Sequence, residues 1–188
     1  MADSHDVRQE SKPGKEQAAA SVCYKASCAT PFGQMTLASD GTALTGAWFD
    51  GQRHFGSTLD DDGCVEAELP VFGAARAWLA RYFAGRDPGP VPPVRLIGTP
   101  FRLAVWQLLR EIPYGGLTTY GRLARELSRR MCPRRVSARA VGGAVGHNPL
   151  SLFVPCHRVV GGGGHLTGYA GGLTLKRRLL EMEGVRMG

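Results

Sequence analysis

The spacing of apolar residues changes character twice along the chain. Residues 1–20 are rich in Ser, Lys, Gln, Glu and Ala and show no apolar face, which predicts a disordered tail. From Val22 to Phe49 short β-type runs appear, including Met35-Thr36-Leu37 and Leu44 to Phe49. Gly33 and Asp40-Gly41 break them, so two or three antiparallel strands are expected. Pro70 to Phe83 reads as a helix with Phe72, Ala75, Leu79, Tyr82 and Phe83 on or near one face. Asp87 to Pro93 (Asp-Pro-Gly-Pro-Val-Pro-Pro) cannot hold regular structure, because proline fixes φ and lacks a backbone donor. A domain boundary is expected there. This divides the chain into a small N-terminal α/β domain over 21–86, a Pro-rich linker over 87–98 and a mainly helical C-terminal domain over 99–188.

Helical spacing dominates the second half. Thr99-Pro100 is an N-cap followed by proline at the first helical position, and Phe101, Val105, Leu108, Leu109 and Ile112 follow at helical intervals. Pro113-Tyr114-Gly115-Gly116 ends that helix. Thr118 or Thr119 can cap the next, with Tyr120, Leu123, Ala124 and Leu127 on one side. A basic connection over Ser128 to Arg135 leads to Ser137, which can cap a third helix to about Gly146. Leu173 to Glu183 forms a last amphipathic helix closed by Gly184. The fold class expected is α+β, with a helix-turn-helix of winged-helix type in the C-terminal half.

The second helix of that pair is almost bare, with Ala138, Ala140, Gly142, Gly143 and Ala144 along it. Glycine inside a helix costs roughly 1 kcal/mol relative to alanine. Close approach of another surface is the usual reason, either a neighbouring helix or a narrow minor groove. Arg139 projects from this bare surface.

Charge adds a direction to the picture. The net charge of +7 is uneven: residues 1–97 hold 9 Lys and Arg against 12 Asp and Glu, and residues 98–188 hold 14 against 4. Thirteen of those fourteen cations are arginine, the side chain suited to phosphates and base edges. A polyanionic partner is implied. With 43% hydrophobic and 21% charged residues the composition is that of a globular domain protein. No apolar stretch reaches membrane-spanning length, and no signal sequence is visible. Five cysteines at irregular spacing do not read as a secreted disulfide framework, so a cytoplasmic location is expected. Cys23, Cys28, Cys64 and His54 match no zinc-ligand spacing, and no metal or cofactor is expected.

The strongest chemical feature is Pro155-Cys156-His157-Arg158, where an apolar run, Leu150 to Pro155, meets a nucleophile, a base and a cation. A thiol reacts as its thiolate, which a nearby imidazole or cation favours. A structural cysteine is the plain alternative, since cysteine is often buried. In a strand, adjacent side chains point to opposite faces, so Cys156 and His157 can cooperate only through a turn, a water or a third residue.

Taken with Asn148-Pro149 and the run Ala138-Arg139-Ala140-Val141-Gly142-Gly143, this tetrapeptide resembles the O6-alkylguanine-DNA alkyltransferases, also called methylated-DNA–protein-cysteine methyltransferases. Ile112-Pro113-Tyr114-Gly115, Thr119-Tyr120-Gly121, Thr167-Gly168-Tyr169-Ala170-Gly171-Gly172 and Leu179-Leu180 leading to Glu183-Gly184 are further matches, so the resemblance spans 99–184.

The resemblance implies that Cys156 is the alkyl acceptor, with His157 its base through a bridging water and Glu183 orienting the imidazole. Tyr120 would supply a proton toward the departing guanine. Arg139 would fill the space of a flipped nucleotide, with Ala138 and Gly142 on the same DNA-facing surface. Asn148 would brace the turn before the active-site segment. Pro155, Val159, Tyr169 and Ala170 would complete the pocket, Val159 and Ala170 through their backbones. The implied partner is double-stranded DNA carrying O6-alkylguanine or, less firmly, O4-alkylthymine, bound through the minor groove by a monomer. A helix-turn-helix binding or damage-sensing module without chemistry is the alternative. A cysteine hydrolase needs a distant histidine and an oxyanion hole, which an adjacent Cys-His pair does not provide.

Overall fold

A computed structural model describes residues 22–59, 63–131 and 135–186; the expected tail over 1–20 and part of the basic connection lie outside them. The N-terminal half forms a four-stranded sheet in the order β3-β2-β1-β4. Its strands are β1 (Tyr24–Thr30), β2 (Gly33–Ser39), β3 (Leu44–Phe49) and the short β4 (Val65–Glu66). β1 to β3 are antiparallel, and β4 adds in parallel to β1, a pairing the local pattern did not signal. Thr30 closes the first hairpin by donating to the Gly33 carbonyl, and Gly33 sits at φ 124°, where glycine carries no Cβ penalty. Helix α1 (Pro70–Phe83) covers the sheet with Val71, Phe72, Ala75, Trp78, Leu79 and Tyr82.

β1 and β2 alternate buried and exposed residues in part, whereas every residue of β3 is buried. The reason is that the β3 edge is taken up by backbone from the other half of the chain. Leu44 donates to the Pro93 carbonyl and accepts from the Arg95 N–H, both at 2.8 Å. Ala47 donates to the Pro149 carbonyl at 2.8 Å and accepts from the Ser151 N–H at 2.9 Å. The stretch leading to Cys156 is therefore hydrogen-bonded to the N-terminal sheet. Apolar side chains from both halves also share one buried cluster.

The C-terminal half contains α2 (Pro100–Arg110), α3 (Tyr120–Arg130), α4 (Ala138–Gly146) and α5 (Leu173–Met182), with a two-stranded parallel ladder of β5 (Thr118–Thr119) and β6 (Val159–Val160). The side chains of Thr99, Thr119 and Ser137 cap α2, α3 and α4 by accepting from the N–H three residues on. α3 runs further than its polar sequence suggests. Ser128 to Arg130 are helical, because Glu126 pairs with Arg129 and Arg130 one turn on and Ser128 back-bonds to the Ala124 carbonyl. α4 packs on α2 and α3 through Val141, Ala144 and Val145, and Trp106 donates to the Ala144 carbonyl at 2.9 Å.

The cysteines differ from expectation in one respect. Cys23 and Cys64 form a disulfide, because the parallel pairing of β1 with β4 brings their Cα atoms to 4.6 Å. They stand 41 residues apart, and no local pattern announces the contact.

Gly46 in β3 lies under the folded-back indole of Trp48, and a Cβ there would stand 1.8 Å from a ring carbon. Gly46→Ala must displace a fully buried Trp, and overpacking of this kind costs about 1–3 kcal/mol. Urea unfolding should show that loss, with native DNA affinity retained at low denaturant.

Candidate functional site

Cys156 to Arg158 form one turn of 3-10 helix rather than the end of a strand, with the Cys156 N–H donating to the Val154 carbonyl and that of Arg158 to Pro155. The turn removes the difficulty of opposed side chains. Just upstream, Leu152 is buried at φ 72°, a left-handed backbone that a leucine adopts only under constraint. Asn148 supplies that constraint. Its Nδ2 donates to the carbonyls of Val154 (2.8 Å) and Leu150 (3.4 Å) and to Cys156 Sγ (3.1 Å), while its Oδ1 accepts from the Leu150 N–H.

Cys156 is 4% exposed. Burial pushes its thiol pKa up, opposed by the Asn148 hydrogen bond and the charge of Lys176. His157 is fully buried and donates from Nε2 to Glu183 Oε1 at 2.7 Å, leaving Nδ1 without a protein partner. Burial lowers its pKa against the pull of Glu183. Glu183, the C-cap of α5, is the most heavily hydrogen-bonded side chain of the site. Oε1 accepts from His157, from the Tyr82 hydroxyl at 2.8 Å and from Arg158 Nη2 at 3.0 Å. Oε2 accepts from Arg158 Nε at 2.9 Å and from the Gly115 N–H at 3.0 Å. Burial alone would raise its pKa, but the bonds and charges of His157 and Arg158 outweigh it and bring it down to about 2.

A cavity of about 760 Å³ opens between α3, α4 and the segment over 162–170, and Cys156 and His157 are not in its wall. Tyr120, Ala138, Arg139, Gly142, Tyr169 and Ala170 all line it. The Tyr120 hydroxyl donates at 3.3 Å to the carbonyls of Thr167 and Gly168. Burial raises the pKa of both Tyr120 and Tyr169, and a Cys156 thiolate would raise each further. Gly142 faces the Tyr120 ring, whereas Gly143 and Gly146 face open space, so close helix packing does not account for the bare face of α4. The wall carries Arg53, Arg125 and Arg139 and no carboxylate among the described residues.

Three expected pocket residues stand elsewhere. Asn148 and Val159 are buried behind the wall, and the Val159 carbonyl already accepts from the Lys176 ammonium. Pro155 lines a separate cavity with Trp78, Tyr114 and Arg158. The Ala170 carbonyl is likewise engaged, by the Arg53 N–H at 3.0 Å. Arg158, the cation of the Pro-Cys-His-Arg motif, is 6% exposed and paired with Glu183.

The geometry also includes groups that sequence reasoning passed over. Tyr82 reads as a core position of α1, and periodicity does not separate a buried phenol with a partner from one without. Lys176 lies inside an amphipathic helix, yet its ammonium is buried on the Val159 and Thr167 carbonyls, and burial lowers its pKa to about 8. Arg53 and His54 come from the N-terminal half, where no local motif marks them, and the His54 ring stacks on that of His147 at 3.9 Å.

Comparison with known proteins fits this arrangement. Residues 100–185 match the family model for the 6-O-methylguanine DNA methyltransferase DNA-binding domain. The Methylated-DNA--protein-cysteine methyltransferase of Haemophilus influenzae is 42% identical over 155 residues, covering 82% of each chain. The chain belongs to the methylated-DNA–protein-cysteine methyltransferase family. A member from Methanosarcina acetivorans is 40% identical, over 86% of this chain and 98% of that protein. Among solved structures, Mycobacterium tuberculosis OGT in complex with DNA superposes with a TM-score of 0.74 at 38% identity, over 85% of this chain and 92% of that one. The family assignment thus extends over the N-terminal sheet as well as the helical half.

Glu183 ties stability to pH. Its pKa is depressed from 4.5 to about 2, so the stability it contributes is complete above about 4.5 and is lost as pH falls toward 2. Glu183→Gln should cost on the order of 3 kcal/mol near neutral pH, where it strands a buried cation. Urea unfolding across pH 2–7 should show the gap between the two proteins closing below about 4.5. A gap constant over that range would contradict a paired carboxylate.

Proposed function

We propose that the protein repairs DNA by direct reversal, moving the alkyl group of O6-alkylguanine irreversibly to Cys156. The observation that carries this reading is the buried Cys156, flanked by a His157–Glu183 relay, in a fold that also opens a carboxylate-free cavity lined by three arginines and two phenols. An O6-alkyl group lies within the duplex, so the nucleotide must be extruded, at a cost of a few kcal/mol. Phosphate contacts from the arginine-rich half and insertion of the exposed Arg139 from α4 offset that cost. The bare face of α4, with Ala138 and Gly142, suits approach along a minor groove.

In the chemical step His157 Nδ1 takes the thiol proton through a water. The thiolate then attacks the alkyl carbon in line, the S–C bond forms as the C–O6 bond breaks, and the electron pair leaves on the guanine. Tyr120 donates a proton toward the guanine ring as that charge develops. His157 returns to neutrality by releasing its proton to solvent, and solvent returns one to the Tyr120 phenol. The raised thiol pKa suits this sequence, because proton removal accompanies substrate entry and no charged sulfur need be stored in the core. The product is a thioether, which is a very poor leaving group, so each molecule acts once. No cofactor enters the step. Among the described residues no helix is long and apolar enough to cross a membrane, and we place the protein in the cytoplasm with its DNA substrate, acting as a monomer.

Incubation with a duplex carrying one O6-methylguanine should add a single methyl group to Cys156, read by intact-protein and peptide mass spectrometry, at no more than one equivalent. DNA binding without methylation would instead support a damage-binding module. Arg139→Ala should slow transfer from duplex about tenfold or more, since the space left by the extruded base goes unfilled, while transfer from single-stranded substrate changes little. Equal rates on duplex for the variant and the parent protein would remove Arg139 from the flipping step.

A further inference from the structure

The N-terminal half carries one side chain that reaches the proton relay. Tyr82 lies on the last turn of α1, fully buried, and its hydroxyl donates to Glu183 Oε1 at 2.8 Å while standing 3.3 Å from His157 Nε2. Glu183 Oε1 is the same oxygen that accepts from His157. We infer that Tyr82 is a positioning residue for alkyl transfer, holding the oxygen of Glu183 that faces His157 and thereby setting how strongly that imidazole takes the thiol proton.

The donors around Glu183 compete for its charge. Glu183 also receives the Arg158 guanidinium and the Gly115 N–H, and each donor draws negative charge away from the imidazole. A carboxylate paired with His157 alone would keep the ring as imidazolium to higher pH, and an imidazolium cannot take the thiol proton. The groups facing His157 are Tyr82 from α1, Glu183 and Lys176 from the α5 segment, and Arg158 and Cys156 from its own turn. Of these, the Tyr82 hydroxyl is the donor that loads Oε1 without adding a charge. Its ring is independently held by a stack on Trp78 at 5.5 Å and an edge contact with Tyr114, so the phenol oxygen is placed by packing. Among the described residues no donor or acceptor outside the relay engages it. A tyrosine here is therefore not explained by core filling, which phenylalanine would serve equally well.

This inference rests on the alkyl-transfer reading, and its test separates the two. Tyr82→Phe keeps the ring and removes the hydroxyl. Single-turnover transfer from an O6-methylguanine duplex should slow about tenfold, the scale of one lost hydrogen bond to a charged group, with affinity for undamaged duplex unchanged. With one donor fewer, Glu183 stabilises the imidazolium more, so the His157 titration followed by imidazole NMR should move up in pH, and the acid limb of the rate profile with it. In a Glu183→Gln background, Tyr82→Phe should change neither the rate nor the titration further. An unchanged rate and titration would overturn the inference, as would an equal loss in both backgrounds, which marks a merely structural role. Should Glu183→Gln not fold, the His157 titration in Tyr82→Phe decides alone: raised supports the inference, unmoved overturns it. That titration needs no alkylated DNA. Failure of the parent protein to accept a methyl group would therefore count against the repair reading and leave Tyr82 judged on the imidazole.

Discussion

A carboxylate removed from water is expensive, and the Glu183 carboxylate is tolerated in this core only because five donors surround it. Those donors come from α1, from the turn after α2 and from the 3-10 turn carrying Cys156, around a carboxylate borne by the end of α5. The ion therefore ties together four segments that are far apart in sequence. Its position also orients His157, since Nε2 is committed to Oε1 and Nδ1 is left without a partner among the described residues. Stability and reactivity are thus two consequences of one buried charge.

The thiol that this relay serves is protected rather than activated at rest. Burial dominates its pKa, and Asn148 and Lys176 only oppose that rise. The arginine richness of the C-terminal half does not act mainly on sulfur: Arg158 is spent on Glu183, while Arg53, Arg125 and Arg139 line the cavity where a polyanion would dock. Separating these cations lets the protein attract DNA strongly without keeping a standing thiolate exposed to oxidation.

The N-terminal half has a physical part in the site. Hydrogen bonds from β3 hold the backbone on either side of Leu150, Tyr82 contacts the relay, and the Arg53 N–H reaches the Ala170 carbonyl at the cavity wall. Strain at Leu152 persists because this scaffold and Asn148 over-determine the turn.

Local chemistry was enough to read the helices. The capping threonines and Ser137, Pro100 at a first helical position and the glycines after helix ends carry their signals within a few residues, and the helices begin where those signals stand. Cys156, His157, Asn148, Arg139 and Tyr120 were legible for a similar reason, since they lie in short ordered motifs. The parallel addition of β4, the Cys23–Cys64 bond, the Arg158–Glu183 pair and the Tyr82 contact were not. Each joins residues tens of positions apart, and hydrophobic period reports only which face is buried, not what a buried polar atom will meet. The sequence by itself determined which segments are helical, which half is basic and which thiol stands beside a histidine and an arginine. Only the tertiary structure decided which polar partners share the buried carboxylate, because that choice is made by the packing of distant segments around a charge that none of them could bury alone.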